Sequence, residues 1–346
     1  MNSRDRDRAR RGFRPSCSDL ENRALLSTTA TSLLGLLGSS SAVVSNPSTV
    51  PTNGDTLPTG VAVVPRGFLV ANNGDSTGAR GTGSTIERVN SNGSLTPLFQ
   101  GSSSLGLTGL GVMQKGYVFA GSEPSSGGAG SLLVINRFGK EVADLSNSKW
   151  IDSPTAVAVN DMGDRAQVFV ANGGNGTITR LDVSIEHGSV TVTSKAIVAS
   201  GYSTSTGGSG LSGPTGLAYN AKNDTLYVAS PGDNAVYAVS NAGERTQAAS
   251  LGTVVIQNDA NLSNPTGLAL TPGGNLLVSG DSASGTSSVV AEYSATGTFL
   301  DVLPVDSTVS GALAGLALKV EHGGIALATA DQATNTVDLR QVKTGG

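Results

Sequence analysis

One pattern of small and bulky side chains recurs six times along the chain. Each copy begins with five residues that we call the anchor, such as residues 215–219 (TGLAY), in which Gly or Ala alternates with Val, Leu or Tyr. A period of two is typical of a β-strand. Because a strand exposed on one face would alternate polar with apolar residues, this alternation predicts a strand that is buried on both faces. The anchors occupy residues 59–63, 108–112, 155–159, 215–219, 266–270 and 314–318.

Three more strands are predicted in each repeat. A turn after the anchor leads to a second apolar run, as at residues 226–229, and a loop rich in Gly, Asn and Asp leads to a third, as at residues 235–239. A fourth, more variable run precedes the next anchor, as at residues 299–303. Four strands in a unit of about fifty residues are typical of a propeller blade. The sequence therefore predicts an all-β fold, a six-bladed β-propeller of four-stranded antiparallel blades.

The sixth repeat ends after its third strand, since only residues 341–346 remain. Residues 41–45 (SAVVS) precede the first anchor and resemble residues 195–199 (KAIVA), which precede the fourth. An incomplete blade would leave an open sheet edge. We therefore predict that an N-terminal strand completes the last blade and closes the ring. This prediction divides the chain into a disordered or export segment at residues 1–39 and a propeller at residues 40–346.

The N-terminal segment combines a basic stretch with a short apolar one. Residues 1–23 contain seven Arg, and the apolar residues 24–37 are interrupted by Ser and Thr and are too few for a membrane span. Residues 20–27 (LENRALLS) resemble the LE-x-R-x-LLS segment near the N-terminus of many large bacterial surface and secreted proteins. This resemblance implies an extracellular, cell-surface or periplasmic location in a bacterium. A short amphipathic helix on a mobile tail is the alternative.

Charge and cysteine content exclude several classes of function. The chain has a net charge of −4, and residues 24–346 alone carry 22 acidic and 15 basic side chains. Such a body lacks the basic stripe that binds nucleic acid. Cys17 is the only cysteine, so the chain has neither a disulfide framework nor a CxxC motif. We expect a monomer that has no nucleic-acid partner.

Two repeats resemble NHL repeats in detail. They are residues 264–270 (NPTGLAL) with residues 273–278 (GGNLLV), and residues 213–219 (GPTGLAY) with residues 224–230 (DTLYVAS). The resemblance covers roughly residues 40–341 and points to uncharacterised secreted bacterial NHL/SMP-30-like propellers. Known NHL propellers are mostly interaction platforms, so the resemblance implies a binding function. The related SMP-30/gluconolactonase and streptogramin-lyase groups are metal-dependent enzymes and imply an alternative activity.

NHL repeats usually carry Asp directly after the second strand. In this chain the position is occupied by Asn72, Gly121, Asn172, Ser230, Gly280 and Asp331. By the resemblance these positions lie at the mouth of the central channel, where Asn72, Asn172, Ser230 and Asp331 are candidate ligand-binding residues. Asn72, Asn172 and Asp331 are also candidate ligands of a divalent cation such as Ca²⁺, which prefers oxygen donors. The alternative is that these side chains satisfy backbone groups at strand ends.

The two histidines, His187 and His322, each occur in a Glu-His-Gly sequence at a predicted hairpin. Streptogramin-type lyases use His as a base. Strand counting places both hairpins on the rim opposite the predicted channel mouth. Because a base and a metal ion on opposite faces cannot act together, we assign no catalytic residue.

The function predicted from these features is that of an exported, non-catalytic binding or protein-interaction scaffold. Its partner, a protein or a glycan, would bind the loops on one face, because loops carry recognition on a rigid scaffold. The longest loops of that face are residues 72–84, 121–130, 200–213 and 280–287. A metal-dependent lactonase or lyase of the SMP-30 or streptogramin-lyase type is the alternative.

Overall fold

The structure, a computed structural model, describes residues 32–39, 42–102, 104–204, 213–321 and 324–343. These residues form six four-stranded antiparallel sheets, helix α1 (Leu33–Leu37) and a 3-10 turn (Pro231–Asp233). The predicted six-bladed β-propeller is therefore confirmed.

Five blades are built from four consecutive strands each, paired in chain order. Blade 1 contains β2 (Thr56–Val64), β3 (Gly67–Gly74), β4 (Thr85–Asn90) and β5 (Leu95–Gln100), and blade 2 contains β6 (Leu107–Val112), β7 (Val118–Ser122), β8 (Ser131–Ile135) and β9 (Glu141–Leu145). Blade 3 contains β10 (Pro154–Asp161), β11 (Arg165–Asn172), β12 (Thr177–Glu186) and β13 (Ser189–Ser200), and blade 4 contains β14 (Gly216–Asn220), β15 (Thr225–Ser230), β16 (Ala235–Ser240) and β17 (Thr253–Gln257). Blade 5 contains β18 (Leu262–Leu270), β19 (Leu276–Ser282), β20 (Ser288–Tyr293) and β21 (Phe299–Asp306).

The sixth blade joins the two ends of the propeller. It contains β22 (Leu313–Glu321), β23 (Gly324–Asp331), β24 (Thr336–Lys343) and the N-terminal strand β1 (Val43–Ser45). Strand β1 pairs antiparallel with β24, and the backbone N–H of Thr49 donates to the carbonyl of Asn335 at 2.9 Å. The predicted closure by an N-terminal strand is confirmed.

Glycine in the anchors lets the inner strands approach one another around the central channel. A Cβ on Gly216 would lie 2.6 Å from the carbonyl oxygen of Thr266, in the next blade, and a Cβ on Gly60 would collide with the carbonyl of Thr108. Neither glycine has a positive φ, so the requirement is space and not backbone conformation. The small residues of the anchors are thus explained by close packing between blades.

The hydrophobic core lies between the blades. Six clusters of buried side chains each join one blade to its neighbour. In one of them the ring of Phe169 from blade 3 stacks on Tyr219 from blade 4, with ring centroids 4.8 Å apart. Neighbouring blades are therefore joined by buried apolar side chains around the whole ring.

Helix α1 fills part of the junction between blades 5 and 6. Its Leu34 and Leu37 are fully buried in the cluster that contains Leu303. The side chain of Ser32 caps the first turn by accepting from the Gly35 N–H at 2.8 Å. Sequence analysis assigned these residues to the N-terminal segment, whereas the compact unit of the structure begins at Ser32. No helix in the described part of the chain is long and apolar enough to cross a membrane.

Candidate functional site

The propeller has two faces that differ in charge. We call the face formed by the connections after second and fourth strands the loop face, and the face formed by the connections after first and third strands the hairpin face. In these connections and the strand residues next to them, the described loop face carries eight acidic and two basic side chains, whereas the described hairpin face carries seven acidic and eight basic ones. The loop-face residues are Asp55, Asp75, Glu123, Asp152, Asp233, Asp259, Asp306 and Asp331, with Arg80 and Lys149. Asp55 and Asp331 are buried and the other six acidic side chains are partly exposed, so the loop face is the more acidic of the two described faces.

The central channel is narrow. The anchors of all six blades line a cavity of about 70 Å³, in which threonine, glycine and small apolar side chains predominate. A water molecule takes about 30 Å³ of liquid volume, so this cavity has room for water and not for an organic ligand. The inner strands therefore leave only a narrow space along the axis of the propeller.

Threonine side chains connect the blades around this axis. The hydroxyl of Thr59 donates to the carbonyl of Leu107 in the next blade at 2.9 Å, and that of Thr266 donates to Leu313 at 2.9 Å. Thr108, Thr155 and Thr215 make the corresponding bonds in the other blades. The sixth anchor has Ala314 at this position. The recurring Thr of the anchors is thus explained by hydrogen bonds between blades.

Asn72, a predicted site residue, lies at the loop-face end of blade 1 and is fully buried. Its Nδ2 donates to the carbonyl of Thr49, in the closure segment, at 3.0 Å and to the hydroxyl of Thr85 at 3.2 Å. Its Oδ1 is buried and has no hydrogen-bond partner within the described chain. Asn72 therefore links blade 1 to the segment that closes the ring.

The same part of blade 1 contains two buried carboxyl groups. The Asp55 carboxylate accepts from the Ser84 N–H at 2.7 Å and from the Thr85 hydroxyl at 2.9 Å. Glu87 is 2% exposed. Burial, with a smaller effect from the negative charge of Asp55, raises the pKa of Glu87 to about 7. The charge of this side chain can thus change near neutral pH.

Asn172 occupies the equivalent position in blade 3. Its Oδ1 accepts from the Asp152 N–H at 3.1 Å, and its Nδ2 donates to the hydroxyls of Thr177 and Thr179, both at 3.0 Å. A further bond reaches the carbonyl of Trp150. Both polar atoms of this amide are used to hold the end of the blade.

Ser230 and Asp331 also bond within their own surroundings. The hydroxyl of Ser230 donates to Asp233 at 2.6 Å. Oδ1 of Asp331 accepts from the N–H groups of Ala333 and Thr334 at 2.9 Å and 3.1 Å. The four candidate residues lie in four different blades, and none of them is among the residues that line the channel. Their hydrogen bonds support the strand-end role, and ligand or metal binding at these positions stays a prediction.

The histidine that the structure describes does not belong to a metal-binding group of side chains. His187 lies in the turn between β12 and β13, on the hairpin face, and His322 lies outside the described residues. Within the described ranges, no group of three or more His, Cys, Asp or Glu side chains is arranged to hold a metal ion.

The sequence did not predict a set of polar side chains that connects blades 6, 1 and 2 on the loop face. Arg80 donates from Nη2 to Oε1 of Gln332 at 2.6 Å, across 252 positions of sequence. Nearby, burial raises the pKa of Glu123, although a hydrogen bond with Ser153 and the charge of Arg80 oppose this effect. The glycine-rich loop that carries Arg80 is held in place in part by the backbone N–H of Gly81, which donates to Asn73 Oδ1 at 3.1 Å. No local signal in the sequence identifies partners so far apart.

Comparisons with known proteins support the fold. The chain matches no protein-family model and no curated protein. Among solved structures, it is similar to a catalytically inactive virginiamycin B lyase from Staphylococcus aureus with quinupristin (12% identity, TM-score 0.54, covering 87% of this chain and 99% of that one). It is also similar to a putative oxidoreductase (glucose dehydrogenase) from Thermus thermophilus (17%, 0.53, 87% and 99%) and to the allergen Mala s 1 from Malassezia sympodialis (16%, 0.55, 86% and 95%). The chain thus shares its six-bladed propeller fold with these solved structures.

Proposed function

We propose that this protein is an exported, non-catalytic binding scaffold whose acidic loop face recognises a protein with a basic surface. The observation that carries this proposal is the difference in charge between the faces, with six partly exposed acidic and two exposed basic side chains on the described loop face. A surface of one sign attracts a partner of the opposite sign and raises its association rate. The resemblance of residues 20–27 to bacterial surface and secreted proteins supports export.

Two half-exposed carboxylates hold their charge over a wide pH range. Hydrogen bonds from the hydroxyl and backbone N–H of Thr77 lower the pKa of Asp75, and those from Thr308 lower the pKa of Asp306. Both residues therefore remain ionised in mildly acidic solution. Asp75 lies in the connection after β3, and Asp306 is the last residue of β21, so both lie on the loop face, in blades 1 and 5.

Neutralising these two residues tests the proposal. An oligolysine peptide is the probe, because the partner itself is unidentified. The double variant Asp75→Asn and Asp306→Asn keeps an acceptor oxygen at each position and should bind the peptide more weakly and with a smaller dependence on salt. The matched control is Glu141→Gln with Glu186→Gln, which removes two acidic charges from the hairpin face.

Binding by surface plasmon resonance at several salt concentrations gives the answer. Equal loss of binding in both double variants would show attraction by overall net charge and contradict recognition by the loop face. Binding of a neutral glycan in preference to the peptide would also contradict it, in favour of a glycan partner.

A metal-dependent lactonase or lyase remains the second candidate, because a virginiamycin B lyase is among the solved structures with a similar fold. At 12% identity this likeness extends to the fold alone. Asn172 and Asp331 already use side-chain oxygens in hydrogen bonds with backbone N–H groups, an arrangement that favours the strand-end role over a shared cation site. Metal analysis of the purified chain with a lactone-hydrolysis screen tests this candidate: a stoichiometric divalent ion that is lost in Asn172→Ala would support it.

A further inference from the structure

A large open cavity lies on the hairpin face, where blades 6, 1 and 2 meet. Its volume is about 830 Å³, and its walls include Leu69 and Leu98 from blade 1 and Val112 and Met113 from blade 2. Small-molecule sites of proteins are mostly apolar and have volumes of about 300–1,000 Å³. The cavity is thus of a suitable size and lining for an organic ligand.

One charged group in this cavity lacks a partner. Arg88, on β4, lines the wall beside Leu69, which is its cross-strand neighbour. The side chain is half-buried, its Nε is inaccessible to solvent, and the guanidinium has no hydrogen bond or ion pair within the described chain. An unpaired guanidinium on an apolar wall is costly unless an anion meets it.

The other cations at the cavity are already engaged. Lys115 pairs with Asp164, and Lys319 pairs with Glu321 at 3.0 Å. The guanidinium of Arg137 lies 4.7 Å from the ring centre of Phe138. Arg137 is exposed and also has no hydrogen bond or ion pair from its side chain in the described chain, so Arg88 is distinguished as the half-buried guanidinium that lies beside the apolar wall.

Blade 3 contains an internal control for Arg88. Arg180 follows Thr-Ile-Thr as Arg88 follows Thr-Ile-Glu, and it has Phe169 as its cross-strand neighbour. Nη1 of Arg180 donates to the carbonyls of Ala242 and Arg245 in blade 4, both at 3.0 Å, and its Nε lies 3.2 Å from Asp182.

The difference comes from the length of one connection. The carbonyls that bind Arg180 belong to the connection of residues 241–252 between β16 and β17, whereas the matching connection in blade 2 is residues 136–140. The shorter connection does not supply carbonyls to Arg88. Carbonyls of blade 4 therefore accept hydrogen bonds from Arg180, whereas Arg88 faces the cavity without such acceptors.

We propose that this cavity binds an amphiphilic organic acid, with its carboxylate on Arg88 and its apolar body against Leu69, Leu98 and Val112. The planar guanidinium matches a carboxylate with two parallel hydrogen bonds. The apolar walls bury the hydrocarbon part. This site is on the opposite face from the proposed protein-binding surface and does not depend on it.

Calorimetric titration of the full chain with decanoate tests the site. Decanol and decyltrimethylammonium share the alkyl chain and serve as neutral and cationic comparisons. The variants are Arg88→Met, which keeps a similar apolar volume, and Arg88→Gln, which keeps polarity. The matched control is Arg165→Met, which removes an exposed arginine of the hairpin face outside the cavity.

We expect decanoate to bind with one-to-one stoichiometry and more tightly than either comparison ligand. Both Arg88 variants should weaken binding by about tenfold or more, because a charge-assisted pair is lost, and Arg165→Met should not. Three results would overturn the proposal: no binding of decanoate, equal binding of decanol, or equal binding by the Arg88 variants. The comparison among ligands uses the unaltered chain, so it stands even if a variant fails to fold.

Discussion

Blades 1 and 3 have similar sequences, but their buried side chains have different surroundings. Both carry Asn at the end of the second strand and the sequence Thr-Ile-x-Arg in the third. In blade 3 the amide of Asn172 and Nη1 of Arg180 are hydrogen-bonded, Nε of Arg180 lies in an ion pair with Asp182, and Phe169 stacks on Tyr219. In blade 1 the Oδ1 of Asn72 and the guanidinium of Arg88 lack partners within the described chain. The arginine of blade 3 is thus held by the next blade, whereas the matching arginine of blade 1 faces an open cavity without a hydrogen-bond partner.

The contrast between Phe169 and Leu69 should produce the largest effect. Phe169 is fully buried, and Leu69, at the same position in blade 1, borders the open cavity. Phe169→Ala should lower the free energy of unfolding by about 3–5 kcal/mol, and Leu69→Ala by about 2 kcal/mol, because solvent can enter the space that the leucine leaves. Urea unfolding of both variants measures the difference. Equal losses would show that the two junctions are packed alike.

Arg180→Met should have the next largest effect. Removing this guanidinium leaves the carbonyls of Ala242 and Arg245 and the carboxylate of Asp182 without a donor. We expect a loss of about 3 kcal/mol, since breaking one partner of a buried pair leaves the other desolvated. Thermal unfolding checks this value, with exposed Arg165→Met as the control. A melting temperature that matches the control would contradict the role of Arg180 as a link between blades.

Glu87→Gln should change how stability depends on pH. The carboxyl of Glu87 has a pKa of about 7 in the folded chain, against an ordinary value of 4.5, so the folded form retains its proton to higher pH than the unfolded form does. The contribution of Glu87 to stability should therefore be greatest below pH 4.5, fall as the pH rises to about 7, and stay constant above it. The fall is at most roughly 1.4 kcal/mol for each pH unit.

Urea unfolding at a series of pH values measures this slope. Glu87→Gln should flatten it, and the variant should exceed the unaltered chain in stability at about pH 8, where the folded carboxyl is ionised. Blade 3 has Thr179 at the equivalent position, so Glu87→Thr should flatten the slope as well. Glu141→Gln, on the surface, is the control, and an unchanged slope in Glu87→Gln would contradict the assignment.

Arg88→Met should have the smallest effect on stability. The side chain makes no hydrogen bond or ion pair within the described chain, so its loss should change the free energy of unfolding by less than about 0.5 kcal/mol. A slight gain would agree with the removal of a half-buried charge. A loss as large as that of Arg180→Met would refute the contrast between the two blades.

The repeat made the architecture predictable. The alternation of small and bulky residues, four strands in each unit and six units are local properties of the chain, and the count implied that a strand near residues 41–45 must close the ring. Part of the role of the anchors was also predictable, since the alternation of small with bulky residues indicated strands buried on both faces. The hydrogen bonds from the recurring Thr of the anchors to the next blade were not foreseen.

The candidate site was less predictable. Sequence position identified Asn72, Asn172, Ser230 and Asp331 as equivalent, but their hydrogen bonds depend on neighbours that differ from blade to blade. The docking of Leu34 and Leu37 between blades 5 and 6 also escaped the pattern, because a five-residue helix has no detectable period.

The sequence by itself therefore determined the six blades and the way in which the ring closes. The reason is that each repeat carries the same alternation of small and bulky residues, which indicates which strands are buried. Only the tertiary structure decided which polar groups are satisfied and which are not. Arg88 and Arg180 occupy the same place in their blades, and their different surroundings follow from a connection in the next blade. The partners of such a side chain belong to the neighbouring blade, and the local sequence around the side chain does not indicate which residues those are.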